Sequence, residues 1–433
     1  MVLNKNIKPT ICLNMIVKNE SHIIENTLKN LIEKIKFDYW VICDTGSTDN
    51  TPELIKTFFE THKINGELFY DEWVDFAHNR TLALERAYKK TDLLLIFDAD
   101  DEIIGDIEIP TKILFDSYNL KMIATNGVTS YVRVLLINNH KKFEFKSVIH
   151  EYIYCKETPN KITILQGNYN VKSGRSGNRS LDPDKYLKDA LILEKAYNKA
   201  LMDKDRALFQ RYAFYCANSY NDYGKYEDAL KWYDITLKHE YQWKQEKYIA
   251  CLYGFNCCFK VKDFERGFPY LVKGFFYDEE RVETLYPLLV YYYKEQMYKI
   301  AYNYYLNVKP FFETKYLNSN MTDKLFLEID KYDFYVPYYM VLVSHKIGDF
   351  NCGINMYKII FTKKYPITQE KIIESLLLNL QYFLPNLPET DKKSFTHLTN
   401  DYLRFISQQN INVQSFQFLN TPTYKNEGIH ISV

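Results

Sequence analysis

Four aspartates stand where two apolar runs stop. Tyr39 to Cys43 ends in Asp44, and Leu93 to Phe97 ends in Asp98-Ala99-Asp100-Asp101. If both runs are parallel strands, their carboxyl ends open on one crevice, where ligands of open α/β sheets bind. Asp98 and Asp100, two residues apart on a turn, can then offer two carboxylates to one hard cation such as Mn2+ or Mg2+. Such a cation would neutralise a diphosphate. Aspartate is also common in turns, so the pair alone leaves a purely structural reading open.

The elements that must hold these acids are legible in the surrounding pattern. Ile11 to Val17 reads as a strand, and Ile24, Leu28, Leu31 and Ile35 follow at helical spacing with one apolar face. After Asp44 a polar loop leads to Thr51-Pro52-Glu53, an N-cap residue, a first-turn proline and an early acid that together start a helix. Leu68 to Tyr70 predicts a third strand and Phe76 to Tyr88 a third helix. This alternation is that of a βαβ sheet. From Thr129 strands come in series, Thr129 to Ile137, Phe143 to Lys146, Val148 to Tyr154 and Ile162 to Leu165, an expected antiparallel extension of the first sheet. Beyond Asp184 no convincing strand pattern remains.

The later residues carry a weak repeat. Tyr226, Ala229 and Tyr233 recur as Phe264, Gly267 and Leu271, then as Tyr298, Ala301 and Tyr305, and a fourth time as Phe350, Gly353 and Tyr357. An aromatic, a small and a large residue so spaced suit paired helices in close approach. The expected fold class is therefore α/β, a mixed sheet with flanking helices over residues 1–183, followed by an all-α helical-repeat domain over 184–433.

Composition narrows the function. Of 433 residues, 55 are Lys or Arg and 55 are Asp or Glu, a balance that argues against a general nucleic-acid binder or a polybasic membrane-surface protein. Aromatic residues make up 16%, with only 14 Gly and 13 Pro, so the chain has ample apolar area for compact, regular elements. The eight Cys show no zinc spacing and read as free thiols of a reducing, cytoplasmic compartment. No run approaches the roughly 18 apolar residues of a membrane helix, and the first residues lack a signal-peptide core.

Five segments then occur in one order: Cys12-Leu13-Asn14-Met15-Ile16-Val17-Lys18-Asn19-Glu20, Val41 to Thr51, Asp75-Phe76-Ala77-His78-Asn79-Arg80, Leu95 to Asp101, and Val148-Ile149-His150-Glu151. Together they resemble a family 2 inverting glycosyltransferase of the GT-A fold, in the branch joined to tetratricopeptide-like repeats; Gly224 to Leu230 is similar to the start of such a repeat. The resemblance implies transfer of a sugar from a nucleotide sugar, usually a UDP-sugar, to a protein, glycan or lipid-linked acceptor. It implies that Met15, Val17, Lys18 and Glu20 line the nucleotide pocket, that Asp44 binds the base, and that Asp98 and Asp100 form the DxD pair. In this comparison Asp100 is the direct metal ligand and Asp98 a ribose or outer contact.

Arg80 then touches the diphosphate or fixes Asp98, unless it is simply an ion-pair partner. An inverting mechanism needs a carboxylate base. Glu151 is the leading choice and Asp101 the alternative, with His150 a metal ligand or an orienting group. Lys172, Arg175 and Arg179 sit on a glycine-hinged loop suited to closing over the donor diphosphate, or are a solvated linker. The resemblance departs at Leu165-Gln166-Gly167-Asn168-Tyr169, where Gln166 stands in place of a common His. The repeats are expected to hold part of the acceptor, a protein partner or a second copy. Two other classes remain to be weighed: a non-catalytic scaffold with a vestigial transferase domain, and a nucleotidyltransferase. The latter needs a Gly-rich phosphate loop, which Leu13 to Glu20 lacks.

Overall fold

The computed structural model describes residues 8–124, 129–174, 176–319, 321, 323–409, 411–412, 415–427 and 429. The sequence first alternates β1 (Ile11–Val17), α1 (Ile24–Lys34), β2 (Tyr39–Asp44), α2 (Thr51–His62), β3 (Gly66–Tyr70), α3 (Phe76–Ala87) and β4 (Leu93–Ile96). The order β3-β2-β1-β4 is parallel throughout, so the carboxyl ends of β1, β2 and β4 share one edge. Strand alternation divides the core. Ile11, Leu13, Met15 and Val17 pack with Leu28, Leu31 and Phe59 under α1 and α2. Cys12, Val41, Leu94 and Ile96 pack with Leu84 and Ala87 of α3.

Seven further strands follow: β5 (Glu102–Ile107), β6 (Ser117–Ile123), β7 (Thr129–Asn138), β8 (Phe143–Lys146), β9 (Tyr152–Cys155), β10 (Ile162–Ile164) and β11 (Gly167–Lys172). Strand β7 runs antiparallel to both β4 and β6, as the sequence suggests. Three findings correct the expected extension. β5, β6 and β11 belong to the large sheet although the sequence reading names none of them as strands; Tyr118, Leu120 and Met122 alternate with Asn119 and Lys121 in β6, and Tyr169 and Val171 with Asn170 and Lys172 in β11. β8 and β9 form their own two-stranded sheet. Val148 to Glu151 is a turn and not a strand, because Ser147 (φ 86°) and His150 (φ 53°) leave the extended region.

From Lys185 the described structure is helical apart from β12 (Leu327–Glu328): α4 (Lys185–Met202), α5 (Arg206–Tyr223), α6 (Tyr226–Lys238), α7 (Lys244–Lys260), α8 (Phe264–Tyr277), α9 (Leu285–Lys294), α10 (Tyr298–Tyr305), α11 (Lys309–Thr314), α12 (Val336–Ile347), α13 (Phe350–Lys363), α14 (Glu370–Asn379), α15 (Glu389–Gln408) and α16 (Pro422–Lys425). The four repeated aromatics, Tyr226, Phe264, Tyr298 and Phe350, are each the first residue of a helix. Aspartate caps two of these starts: Asp263 accepts from the Arg266 N–H and Asp349 from the Cys352 N–H.

Two compact units divide the chain. One comprises Met1–Glu246, Cys257–Lys262 and Thr322–Leu327; the other Lys247–Asn256, Asp263–Met321 and Glu328–Val433. Strands give way to helices at Asp184, yet α4, α5 and α6 group with the sheet. No helix among the described residues is long and apolar enough to cross a membrane.

Candidate functional site

An open groove of about 750 Å3 lies at the ends of β1, β2 and β3, lined by Lys18, Asp44, Gly46, Ser47, Tyr70 and Trp73 among others. Its floor is fixed by local hydrogen bonds. The Asp44 carboxylate accepts from the N–H groups of Gly46 and Ser47 and from the Ser47 hydroxyl. The loop after β1 is tied to the loop after β2: the Asn19 N–H donates to Ser47 Oγ (2.8 Å), the Thr48 N–H to Asn19 Oδ1 (2.7 Å) and the Glu20 N–H to Thr51 Oγ1 (2.8 Å). Gly46 turns at φ 96°, open to glycine and strained for other residues. Lys18 and Asp44 are thus brought to the groove. Met15 and Val17 are not, because β1 alternation sends both side chains into the core, 1% and 3% exposed. Tyr70 and Trp73, 60% and 42% exposed, are groove walls that sequence reasoning missed.

Beyond the groove a four-charge network holds the acids. Arg80, on α3, places Nη2 2.5 Å from Asp98 Oδ1 and Nε 2.7 Å from Glu151 Oε1. Arg133, on β7, places Nη1 2.9 Å from Asp98 Oδ2 and Nη2 3.5 Å from Glu151. Two acids and two guanidiniums alternate, so the cluster is neutral and each charge is met. Burial alone would raise the Asp98 pKa, but Arg80 and Arg133 hold it well below the usual carboxylate range. Arg133 is a third residue the sequence reading missed; a lone cation in the apolar run Tyr131 to Ile137 was its signal.

Asp100 and Asp101 face a different partner. The Gly177 N–H donates to Asp100 Oδ2 (3.1 Å) and the Gly174 N–H to Asp101 Oδ1 (3.0 Å), so the glycine-hinged loop lies over these carboxylates. Asp101 is 4% exposed, and burial together with the charge of Asp98 pushes its pKa up to about 7. Of the loop cations, Arg179 is paired with Asp189 and lies over the Phe76 ring. Arg175 lies outside the described residues. Glu20 approaches the same loop: a Cβ added at Gly177 would stand 3.5 Å from Glu20 Oε1.

The metal set expected from sequence is not assembled as one cluster. Among the described residues no group of three or more His, Cys, Asp or Glu is arranged to hold an ion. Both Asp98 oxygens accept from guanidiniums. His150 stacks on Tyr215 with ring centroids 4.1 Å apart. Partial desolvation by the surrounding protein, with Arg211, Arg179 and Lys185 nearby, lowers its imidazole pKa, although the residue keeps an exposed edge. Asp100 is the carboxylate of the three that fits a hard cation, one shared with phosphate oxygens and water and not enclosed by protein. Gln166, exposed, donates its amide to the Ile164 carbonyl and supplies no ligand there. A separate cavity of about 310 Å3 under Tyr88 and Phe143 contains none of these residues.

Solved structures similar to this chain include TarS 1–349 from S. aureus in complex with UDP-GlcNAc, 14% identical over 62% of this chain and 91% of that one, with a TM-score of 0.30. The mannosyltransferase PcManGT from Pyrobaculum calidifontis, in complex with GDP-Man and Mn2+, is 12% identical over 70% and 87%, with a TM-score of 0.33. No curated protein matches the chain. Residues 12–111 match the family model described as Glycosyl transferase family 2, a span that contains Asp44, Arg80, Asp98, Asp100 and Asp101 and stops short of Arg133 and Glu151.

Proposed function

We propose that the chain is a glycosyltransferase that moves a sugar from a nucleotide sugar, a UDP-sugar by preference, to a hydroxyl or other nucleophile of a protein, glycan or lipid-linked acceptor by single displacement with inversion. One observation carries the proposal: Asp44, Asp98, Asp100 and Asp101 converge on the carboxyl ends of parallel strands beside a nucleotide-sized groove, inside the span that matches the family model. Lys18, Asp44 and the exposed Tyr70 and Trp73 take the nucleoside, aromatic faces and hydrogen-bond acceptors being what a base needs.

Asp100 is the carboxylate that would hold Mn2+ or Mg2+ against the diphosphate, and the ion would supply charge neutralisation of the leaving group. Asp98, Arg80 and Arg133 orient this turn. For the base, we favour Asp101 over Glu151 on electrostatic grounds. Asp101 gives up its proton near neutral pH, where a base is most effective, whereas Glu151 is held by two guanidiniums.

The test is UDP release from a panel of UDP-sugars with Mn2+ and no acceptor, alongside donor-induced thermal shift. Release is expected to need the ion and to fall by about 100-fold in Asp100→Asn, on the order of what one electrostatic contact to a transition state contributes. Full activity in a folded Asp100→Asn protein removes Asp100 from its role. No release and no thermal shift with any nucleotide sugar overturns the function.

A further inference from the structure

The turn that carries His150 and Glu151 does not hold itself. Ser147 and His150 both have positive φ, and the turn's own hydrogen bond runs from Ser147 Oγ to the Ile149 carbonyl (2.5 Å). Much of its backbone support comes from one face of α5. The Tyr212 hydroxyl accepts from the Val148 N–H (3.3 Å), and Arg211 donates through Nε and Nη2 to the His150 carbonyl (3.0 and 2.7 Å). Tyr215, one helical turn on, stacks against the His150 ring.

Arg211 is itself held. Its guanidinium lies over the rings of Tyr152 (5.0 Å) and Tyr215 (4.7 Å), and Nη1 stands 3.7 Å from Glu246, which accepts from Gln242. The planar fork of arginine suits this two-pronged grip on one carbonyl. The residue after His150 is Glu151, which meets Arg80 and Arg133, and these in turn hold Asp98.

We propose that α5 is part of the catalytic wall: Arg211 and Tyr215 are positioning residues that fix the Ser147–Glu151 turn, and through Glu151 the guanidinium pair that orients Asp98. The catalytic part of this assignment rests on the function proposed above; the clamp itself does not. It also makes the first helices after the sheet a working piece of the transferase and not a detachable binding module.

Two readouts on the full chain test it, with Arg211→Met, which keeps the stacking stem and removes the donors, and Arg211→Lys, which restores one donor. Hydrogen exchange of amides 147–152 is expected to speed up at least about 10-fold in Arg211→Met, with β1 and β2 unchanged, because the strained turn loses its anchor. UDP release from UDP-glucose with Mn2+ is expected to lose about 10- to 100-fold in kcat with donor KM within about twofold, the cost of a misplaced catalytic group. Arg211→Lys should recover part of both. Unchanged exchange at 147–152 overturns the clamp. Faster exchange with unchanged kcat reduces Arg211 to a structural residue and overturns the catalytic assignment. If the wild-type chain releases no UDP, the exchange result still decides the clamp and the failure belongs to the proposed function.

Discussion

Asp98 and Asp101 are three residues apart on one strand-end turn, yet their surroundings send their pKa values in opposite directions. Two guanidiniums hold Asp98 low; burial, the Asp98 charge and the Asp100 charge raise Asp101 to about 7. Neighbouring acids pushed apart in this way are suited to different tasks, one fixed as a charge and one able to take a proton. The raised value also has a stability consequence. An unfolded Asp ionises near pH 3.9. Between about pH 4 and 7 the folded chain keeps a proton that the unfolded chain releases, so folding loses stability as pH rises through that window and the loss levels off above it. Asp101→Asn removes the penalty. Its gain in Tm over wild type is expected to be larger at pH 8 than at pH 5, and an equal or reversed difference rules out a raised Asp101. The acids were legible in sequence because each ends an apolar run. Arg133 and Arg211 were not, since their partners lie 35 and 61 residues away and depend on sheet order and helix docking.

At the scale of elements, periodicity found what local packing decides and missed what neighbours impose. β1 and β8 have the expected bounds, α1 falls on the apolar face that predicts it, and α3 starts at Phe76 as expected. β5 shows one buried position in six, and β11 opens on Gly167-Asn168; both are strands because they pair with each other and β11 also with β6. The repeat triples were more informative than their degeneracy suggests. Ala229, Tyr233, Ala301, Tyr305 and Tyr357 are fully buried, so the small and large members mark the faces that pack. Gly353 of α13 is the extreme case: a Cβ there would stand 2.0 Å from Phe383 Cε1 and 2.7 Å from Ser344 Oγ. Phe383 is 1% exposed and has little room to yield. Gly353→Ala is therefore expected to cost about 2 kcal/mol in denaturant unfolding, the range for overpacked cores. Adding Phe383→Leu should recover part of that cost, a non-additivity expected only if the two side chains collide. A helix-propensity gain on Gly353→Ala alone, with higher stability, would show that the helices separate freely at this point.

For the whole molecule the chemistry least visible in a charge-balanced chain is that of its thiols. All eight cysteines are buried, and none forms a disulfide. Burial raises the thiol pKa of Cys12, Cys43, Cys251, Cys257 and Cys352 to about 12, far from the range in which a thiolate attacks disulfide reagents. The sequence showed that these cysteines lack zinc spacing. It did not show that each is an apolar packing residue, because a single Cys on a helix or strand looks the same whether it faces core or solvent. Their spread makes them reporters of opening: Cys12, Cys43, Cys155 and Cys216 lie in the unit that holds the sheet, Cys251 and Cys352 in the helical one. Titration of the native protein with a disulfide reagent at pH 8 is expected to label fewer than about one thiol per chain within minutes, and all eight after denaturation. Labelling each site separately by mass spectrometry along a denaturant series then measures where the structure opens first. Rapid native modification of Cys12 or Cys43, whose strands end at the candidate site, would contradict a rigid floor beneath Asp44 and Asp98. Protection of both, with UDP and Mn2+ raising the denaturant concentration needed to expose them, is the expected result for a donor that binds at those strand ends.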